Sequence, residues 1–272
     1  MVPLSNVIAW AETTPWSDLN KIEQDLILSR AIVALFEDPS LRRQLRFRGG
    51  TALGKLHFPA IYRLSEDIDL ARTVEGPVGP ILDHIRSVLE PWLGKARRDL
   101  KRTSARLKFQ VPAEDDPELQ IGVKVEVNTV ETDAYDPPAQ VPFRVENPWF
   151  SGAAEVATFS REEMLATKLR ALLQRDKGRD LFDLAHGLEV FEDLDADRIV
   201  RCLGFYLDRA GLSISRAEAE RRMFDKLARS TLAHDIRHLL PAVEAARIDG
   251  GAVRTAFTMV FTGLISRLPG KP

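Results

Sequence analysis

The 272-residue sequence has little of several features that mark common protein classes. It contains one cysteine, Cys202, so no disulfide can form within the chain, which favours a reducing compartment. The formal net charge is −2, from 38 Lys and Arg against 40 Asp and Glu, which excludes an overall basic field for nucleic acid or membrane. No apolar run is long enough to span a bilayer, and the N-terminus lacks a signal-peptide pattern. We expect a cytoplasmic protein without membrane contact, with Cys202 in a core.

A Walker A phosphate-binding loop, an internal repeat and a low-complexity segment are also absent from the sequence. The hydrophobic residues, 44% of the chain, suffice for one large core or two modest ones. Residues 17–36 have the apolar spacing of a helix, with Ser17 as a candidate N-cap and with Asp38-Pro39 as its end. Residues 46–158 mix short alternating runs with one helix-like piece, and the chain from residue 160 has a helical pattern. These changes predict an α+β fold with two domains, residues 1–158 and 159–272.

Two strand-like segments carry acidic residues on one face. In SEDIDLA the alternation sends Asp67 and Asp69 to the same side of a strand, where two like charges need a cation between them. In QIGVKVEVNTV the same alternation places Glu126 on a polar face together with Lys124. Carboxylate oxygens are the ligands that Mg²⁺ prefers, so Asp67, Asp69 and Glu126 are candidate metal ligands. The alternative is a solvated outer face on each strand.

A glycine pair lies upstream of these acids, in FRGGTALG. Gly49 and Gly50 predict a turn between a short strand and a helix, where backbone N–H groups can approach the phosphates of a nucleotide. Thr51 adds a hydroxyl, and Arg63 and Ser65 beside the acids could add further donors. The alternative interpretation of the glycine pair is an ordinary tight turn.

One lysine interrupts the apolar face of a predicted helix. On a helical projection of MLATKLRALLQR, Lys168 lies inside the apolar arc, where its charge requires a partner. Asp180 and Asp183 follow on the next predicted helix, and one of them could hold Lys168. The alternatives are a structural ion pair between two helices and a lysine that extends to water.

The segment GKARRDLKRTSARLKF concentrates positive charge, with one opposing acid, Asp99. Such a cluster favours salt-dependent contacts with the phosphates of RNA, and the alternative is a solvated hairpin or helix face. The candidate RNA-binding residues are Lys95, Arg97, Arg98, Lys101, Arg102, Arg106 and Lys108.

The order of these motifs resembles a known family. The segments GGTAL, RLSEDIDL and KLRALLQRDKGRDLFDL, between about Phe47 and Leu188, are similar to those of the AbiEii/AbiGii-type nucleotidyltransferase toxins, including the mycobacterial MenT-like group. The resemblance implies a DNA polymerase β-type nucleotidyltransferase core, a small mixed sheet with helices, followed by an α-helical C-terminal domain.

The resemblance also implies roles for individual residues. Gly50 and Thr51 match the family's phosphate loop, Ser65 a serine near its site, and Asp67 and Asp69 its metal-binding acids.

In the C-terminal domain, Lys168 matches the family's functional lysine and Asp183 its downstream acid, with Asp180 close by. The helical domain would contribute these residues to the site. Glu126 would be the third acid of the core.

The activity implied is the metal-dependent transfer of a nucleoside monophosphate from an NTP to RNA, with the 3′ end of tRNA as the expected acceptor and translation as the process blocked. Mg²⁺ or Mn²⁺ would be the cofactor, a separately encoded antitoxin the partner, and a monomer the favoured state. The alternatives are a nucleotidyltransferase that acts on a small molecule or a protein, and a non-catalytic RNA- or protein-binding module on the same fold.

Overall fold

The computed structural model describes residues 2–116, 118–228 and 231–270. The chain forms two compact units, Met1–Phe159 and Ser160–Pro272, a division one residue from the boundary predicted between 158 and 159. Unit 1 contains strands and helices, and the described part of unit 2 is helical. The α+β prediction is therefore confirmed.

The described residues of unit 1 form five α-helices and a seven-stranded sheet. The helices are α1 (Leu4–Ala11), α2 (Leu19–Glu37), α3 (Pro39–Gln44), α4 (Gly49–Ala52) and α5 (Gly79–Leu93), and a π-helical turn, Leu53–His57, continues α4. The strands are β1 (Leu45–Arg48), β2 (Asp67–Arg72), β3 (Arg97–Leu100), β4 (Ser104–Pro112), β5 (Gln120–Asn128), β6 (Ala139–Asn147) and β7 (Phe150–Thr158).

The strands lie in the order β3-β4-β5-β2-β1-β7-β6. The sheet is mixed, because β2 pairs with β5 and β1 with β7 in parallel, whereas the other neighbouring strands are antiparallel. Strands β2 and β5 therefore lie side by side inside the sheet although about fifty residues separate them. This pairing brings the two acidic segments together.

Alternation explains which face of β5 is buried. Val123, Val125 and Val127 are at most 1% exposed, whereas Lys124 and Glu126 between them lie on the partly exposed face. Burying each valine contributes roughly 1.5–3 kcal/mol relative to leaving it in water. A shift of one residue in register would bury the charged face, so the hydrophobic pattern determines the register.

The long helix α2 begins and ends at short polar caps. Asp18, and not Ser17 as predicted, caps its N-terminus by accepting hydrogen bonds from the backbone N–H groups of Asn20 and Lys21. The helix ends at Glu37, and α3 begins at Pro39, as the Asp38-Pro39 pair predicts.

Unit 2 begins at Ser160, whose hydroxyl accepts a hydrogen bond from the backbone N–H of Glu163 and caps the first helix. Cys202 is fully buried, as expected of a core residue. None of the described helices combines the length and apolar character needed to cross a membrane. The helices are α6 (Arg161–Gln174), α7 (Gly178–Val190), α8 (Ala196–Arg209), α9 (Arg216–Leu227), α10 (Thr231–Arg237), α11 (Ala242–Arg247) and α12 (Gly250–Gly263), followed by a 3-10 turn, Ile265–Arg267.

Candidate active site

The predicted acids come together on one face of the sheet. In the parallel pairing of β2 with β5, Asp69 is opposite Glu126 and Asp67 is opposite Lys124. All four side chains share one face, because residues two apart on a strand point the same way. The structure thus places two carboxylates from β2 beside a carboxylate and an ammonium from β5.

The first glycine of the pair, Gly49, packs closely against one of these acids. Gly49 has φ of +82°, a conformation that other residues rarely adopt, and a Cβ atom at this position would overlap Asp69 Oδ2. The Asp69 carboxylate therefore lies directly against the backbone of the turn. Any larger residue at position 49 would displace the acid.

The second glycine accommodates a different side chain. A Cβ atom on Gly50 would overlap Arg63 Nη2 and would lie 3.1 Å from Ser65 Oγ. Arg63 is 9% exposed and donates a hydrogen bond to the carbonyl of Leu64 at 2.8 Å. The two glycines thus let the loop before β2 pack against the chain after β1. Helix α4 starts at Gly49, so the turn predicted at the glycine pair is the first turn of this helix.

Thr51 connects this turn to β2. Its hydroxyl lies 2.5 Å from the Asp67 carbonyl oxygen and 2.7 Å from Ser65 Oγ. Because a carbonyl only accepts, the single Thr51 proton goes to Asp67, and the Ser65 hydroxyl donates to Thr51. Thr51 is 2% exposed, so its hydroxyl holds the start of β2 in place and does not point to solvent.

The electrostatics of Asp69 differ from those of an ordinary surface acid. Burial raises the pKa of Asp69 above its usual value, and the neighbouring negative charges of Asp67 and Glu126 raise it further. Arg48 and Lys124 act in the opposite direction but do not cancel the effect. A site that disfavours its own negative charge is one where a cation binds favourably.

Two cations, Lys124 and Arg106, contact these acids, and Lys124 is not among the site residues predicted from the sequence. Lys124 Nζ lies 2.7 Å from Asp67 Oδ2 and 3.7 Å from Glu126 Oε2. The sequence indicated a role for Lys124, because Lys124 and Glu126 are two residues apart and therefore lie on the same polar face of β5. Its contact with Asp67, however, depends on which strand is the neighbour of β5.

Glu126 is held by Arg106 from β4. The guanidinium donates to both carboxylate oxygens, at 2.8 and 3.0 Å. Although burial alone would raise it, the pKa of Glu126 lies below its usual value because Arg106 and Ser104 donate hydrogen bonds to the carboxylate. Glu126 is thus ionised, and both of its carboxylate oxygens are bound by the Arg106 guanidinium.

A divalent cation fits the Asp67 and Asp69 pair better than the predicted set of three acids. Within residues 2–116, 118–228 and 231–270, no three acidic, histidine or cysteine side chains are arranged to hold a metal ion. Asp67 and Asp69 supply hard oxygen ligands on one strand face, and Asp69 has the raised pKa that a cation would relieve. Glu126 would have to release Arg106 before it could act as a ligand.

The basic segment forms a hairpin at the edge of the sheet. Lys95 precedes β3, Arg97 and Arg98 lie on β3, and Lys101 and Arg102 form the turn to β4. All five are exposed.

The remaining two cations of the segment lie on β4 and both form ion pairs. Lys108 is exposed and pairs with Asp99 at 3.4 Å, whereas Arg106 is only partly exposed because it binds Glu126.

The strand registers align some of these cations with the acids. Arg97 is opposite Lys108, Lys108 opposite Lys124, and Lys124 opposite Asp67. We call this set the basic row; it leads from the sheet edge to Asp67 over three strand spacings of about 4.8 Å each. Arg98 is on the other face of β3 and lies beside Gly79, the first residue of α5. A Cβ atom at Gly79 would be 3.9 Å from Arg98 Nη2.

In unit 2, the predicted partners of Lys168 are its actual partners. Lys168 Nζ lies 2.8 Å from Asp183 Oδ2 and 3.4 Å from Asp180 Oδ1. Lys168 is 7% exposed and the two acids at most 1%. Asp180 is also held by Arg175, at 2.7 and 3.0 Å. The lysine therefore compensates buried negative charge between α6 and α7.

Comparisons with known proteins agree with this architecture. Among solved structures, MenT4, a nucleotidyltransferase toxin from Mycobacterium tuberculosis H37Rv, is similar with a TM-score of 0.59 and 17% identity, over 98% of this chain and 89% of that one. JHP933 from Helicobacter pylori is similar with a TM-score of 0.50 and 16% identity, over 89% of this chain and 94% of that one. At such identities the likeness concerns the fold. No curated protein sequence matched significantly.

A family model gives the more specific result. The model of the nucleotidyl transferase AbiEii toxin, from type IV toxin–antitoxin systems, matches residues 30–258. The matched segment includes the glycine turn, both acidic strands and the Lys168 cluster. The chain therefore belongs to the AbiEii nucleotidyltransferase toxin family.

Proposed function

We propose that this protein is a metal-dependent nucleotidyltransferase that transfers a nucleoside monophosphate from an NTP to RNA, with the 3′ end of tRNA as acceptor. The observation that carries the proposal is the Asp67 and Asp69 pair, since Asp69 is packed under Gly49 and has a raised pKa. In the reaction, the oxygen of an acceptor hydroxyl forms a bond to the α-phosphorus and loses its proton to water, the bond between the α-phosphorus and the oxygen that bridges to the β-phosphorus breaks, and pyrophosphate leaves.

The residues of unit 1 divide this work between them. Asp67 and Asp69 would hold Mg²⁺ or Mn²⁺, which supplies charge neutralisation at the triphosphate. Gly49 and Gly50 carry no side chains of their own, which would let the backbone N–H groups of this turn approach phosphate oxygens. Lys124, now paired with Asp67, is a donor that can turn to a phosphate when Asp67 gains another cation.

Binding of the acceptor is supported by the basic row. Arg97, Lys108 and Lys124 lie in register, and the ion pairs of Lys108 with Asp99 and of Lys124 with Asp67 are partly exposed. The three cations therefore fit the repeated charge of an RNA backbone that ends at the acid pair. Arg106 is a weaker candidate for RNA contact than the sequence suggests, because Glu126 already occupies its guanidinium.

For Lys168 we propose that its ammonium neutralises phosphate charge and that Asp183 orients it. The support is the family resemblance together with the buried contact of 2.8 Å between the two. Asp180 is better explained as a structural acid, because Arg175 and Lys168 both contact it.

As a toxin of a toxin–antitoxin system, the protein would block translation by modifying tRNA, in the cytoplasm, until a separately encoded antitoxin counteracts it. The system implies the antitoxin. The target and the compartment are parts of our proposal.

Labelled substrates test this function directly. The protein is incubated with each of the four α-³²P-labelled NTPs and Mg²⁺, together with total tRNA, total cell protein or no acceptor. We expect label in tRNA, none without divalent cation, and none with Asp67→Ala. The matched control is Glu75→Ala, which removes an exposed acid outside the site and should leave transfer unchanged.

Each contrary result has a distinct meaning. Label in protein or in a small molecule would mean that the acceptor is that molecule and not RNA. Full transfer by Asp67→Ala would remove the acid pair from the mechanism.

A further inference from the structure

A pocket in unit 1 opens beside Asp67, and the proposed function so far gives this pocket no ligand. It encloses about 450 Å³ between the start of α2 and strands β4 and β5, and both Asp67 and Lys124 are part of its wall. Volumes of this size are typical of small-molecule sites. The pocket is therefore contiguous with the acid pair.

Carboxamide side chains line this pocket. Asn20 and Gln24 come from α2, Gln110 from β4 and Gln120 from β5. Gln24 Nε2 donates to the carbonyl of Gly122 at 2.8 Å, which fixes its orientation. Asn20 Oδ1 is shut off from solvent and accepts no hydrogen bond from any residue that the structure describes. Carboxamides pair well with the edges of nucleobases, since each carries both a donor and an acceptor.

A glycine keeps the pocket open. Gly122 lies inside β5, two residues before Lys124 on the same face, where a β-branched residue would suit a strand better. A Cβ atom there would meet nothing closer than Gln110 Nε2 at 4.0 Å. The protein's own packing therefore gives no reason for a glycine, and an interior-strand glycine often marks the close approach of a ligand.

The remaining walls supply an apolar contact and positive charge. Leu119 is 43% exposed at the pocket, a position where the flat face of a base could cover it. Lys108 and Lys124 of the basic row stand at the side of the pocket, as neighbours in register. An amide-rich cavity with an apolar patch and flanking lysines suits a base joined to phosphate.

We propose that this pocket is a nucleobase subsite, which receives either the base of the NTP or the base of the terminal acceptor nucleotide. The inference rests on the proposed function, because it assumes that Asp67 is at the reaction centre. It adds that Asn20, Gln24 and Gln110 determine which base is accepted and that Gly122 provides the space.

Filling the pocket is the test. Gly122→Val should fold, because its Cβ has room and valine favours strands, and the isopropyl group should occupy the space for the base. Gly122→Ala is the matched control, since one methyl group leaves most of the cavity open. Gln110→Phe fills the pocket from β4 at an exposed position, and it replaces Gly122→Val if that variant does not fold.

Dissociation constants are measured with Mg²⁺ for ATP, CTP, GTP, UTP and tripolyphosphate, and for total tRNA before and after removal of its 3′-terminal nucleotide. We expect Gly122→Val to weaken the binding of either the NTPs or intact tRNA at least tenfold. If the pocket takes the NTP base, NTP binding falls and tripolyphosphate binding does not. If it takes the acceptor base, intact tRNA loses affinity and shortened tRNA does not.

Unchanged affinity of Gly122→Val and Gln110→Phe for every NTP and for intact tRNA would overturn the subsite while the transferase function stands. A wild-type protein that binds neither NTP nor tRNA would overturn the proposed function, and the subsite with it.

Discussion

At the scale of single residues, Asp69 is the most constrained group of the site. It lies against the backbone of Gly49, and its pKa is raised by burial and by Asp67 and Glu126. The folded protein therefore binds a proton at Asp69 more tightly than the unfolded chain does. Above the ordinary pKa near 3.8, this difference lowers stability as the pH rises.

Because ionised Asp69 lowers stability, we predict that Asp69→Asn stabilises the metal-free protein while abolishing transfer. Asparagine keeps the shape of the side chain and removes the unfavourable charge. Thermal unfolding at pH 7 should show a higher Tm than that of the wild type, and the difference should shrink as the pH falls, because the raised pKa lets Asp69 take up a proton at a higher pH than an ordinary aspartate does. Asp67→Asn is the comparison, because the Asp67 side chain is 41% exposed and paired with Lys124, so its removal should not stabilise. A lower Tm for Asp69→Asn at pH 7 would contradict the assignment.

Lys168 is the second residue whose environment makes a sharp prediction. Lys168→Met removes the ammonium that lies 2.8 Å from Asp183 Oδ2 at a buried position, which should destabilise unit 2 by roughly 3 kcal/mol because the buried acids lose a compensating charge. Adding Asp183→Asn should recover part of the loss. The free energy of unfolding from urea titration measures both variants.

The double variant also separates structure from catalysis. If Lys168 acts on phosphate, Lys168→Met with Asp183→Asn is folded but inactive in the labelling assay. Residual transfer by this folded variant would make Lys168 a structural brace between α6 and α7.

At the scale of elements, the parallel pairing of β2 with β5 assembles the site, and the β3–β4 hairpin extends it. Cross-strand neighbours on one face lie about 5 Å apart, so the register converts separate segments into the basic row. The alternation of β3 gives its two arginines different surroundings. Arg97 faces the acids, and Arg98 lies beside α5.

The hairpin predicts unequal effects of two neighbouring substitutions. Arg97→Glu should weaken the binding of total tRNA and lower the slope of log K against log salt by about 1 or more, because a phosphate contact is lost. Arg98→Glu makes the same charge change on the opposite face and should have a much smaller effect. Filter binding between 50 and 200 mM KCl measures both. Equal losses would show that only net charge matters and would remove the basic row from the acceptor site.

At the scale of the whole molecule, membership of a toxin family predicts a cellular effect. Induced expression in a bacterium without the antitoxin should arrest growth and stop the incorporation of labelled methionine, if tRNA is the target. Asp67→Ala should express to the same level without growth arrest, and Glu75→Ala should remain toxic. Arrest by Asp67→Ala would mean that toxicity does not depend on nucleotidyl transfer.

The sequence by itself determined the periodic features of this protein. Alternation placed Asp67 with Asp69 and Glu126 with Lys124, and helical spacing placed Lys168 in an apolar arc, because backbone geometry sets these periods locally. The order of the motifs also indicated the family that the comparison confirmed.

Only the tertiary structure decided which of these faces meet. The partner of a strand and its register depend on packing between segments far apart in the sequence, which no local pattern encodes. For this reason, the contact of Lys124 with Asp67, the capture of Glu126 by Arg106 and the fit of Gly49 against Asp69 came from the fold. The alternation also left open which side of the hairpin faces the acids. That was decided by the antiparallel pairing of β3 with β4 at the sheet edge.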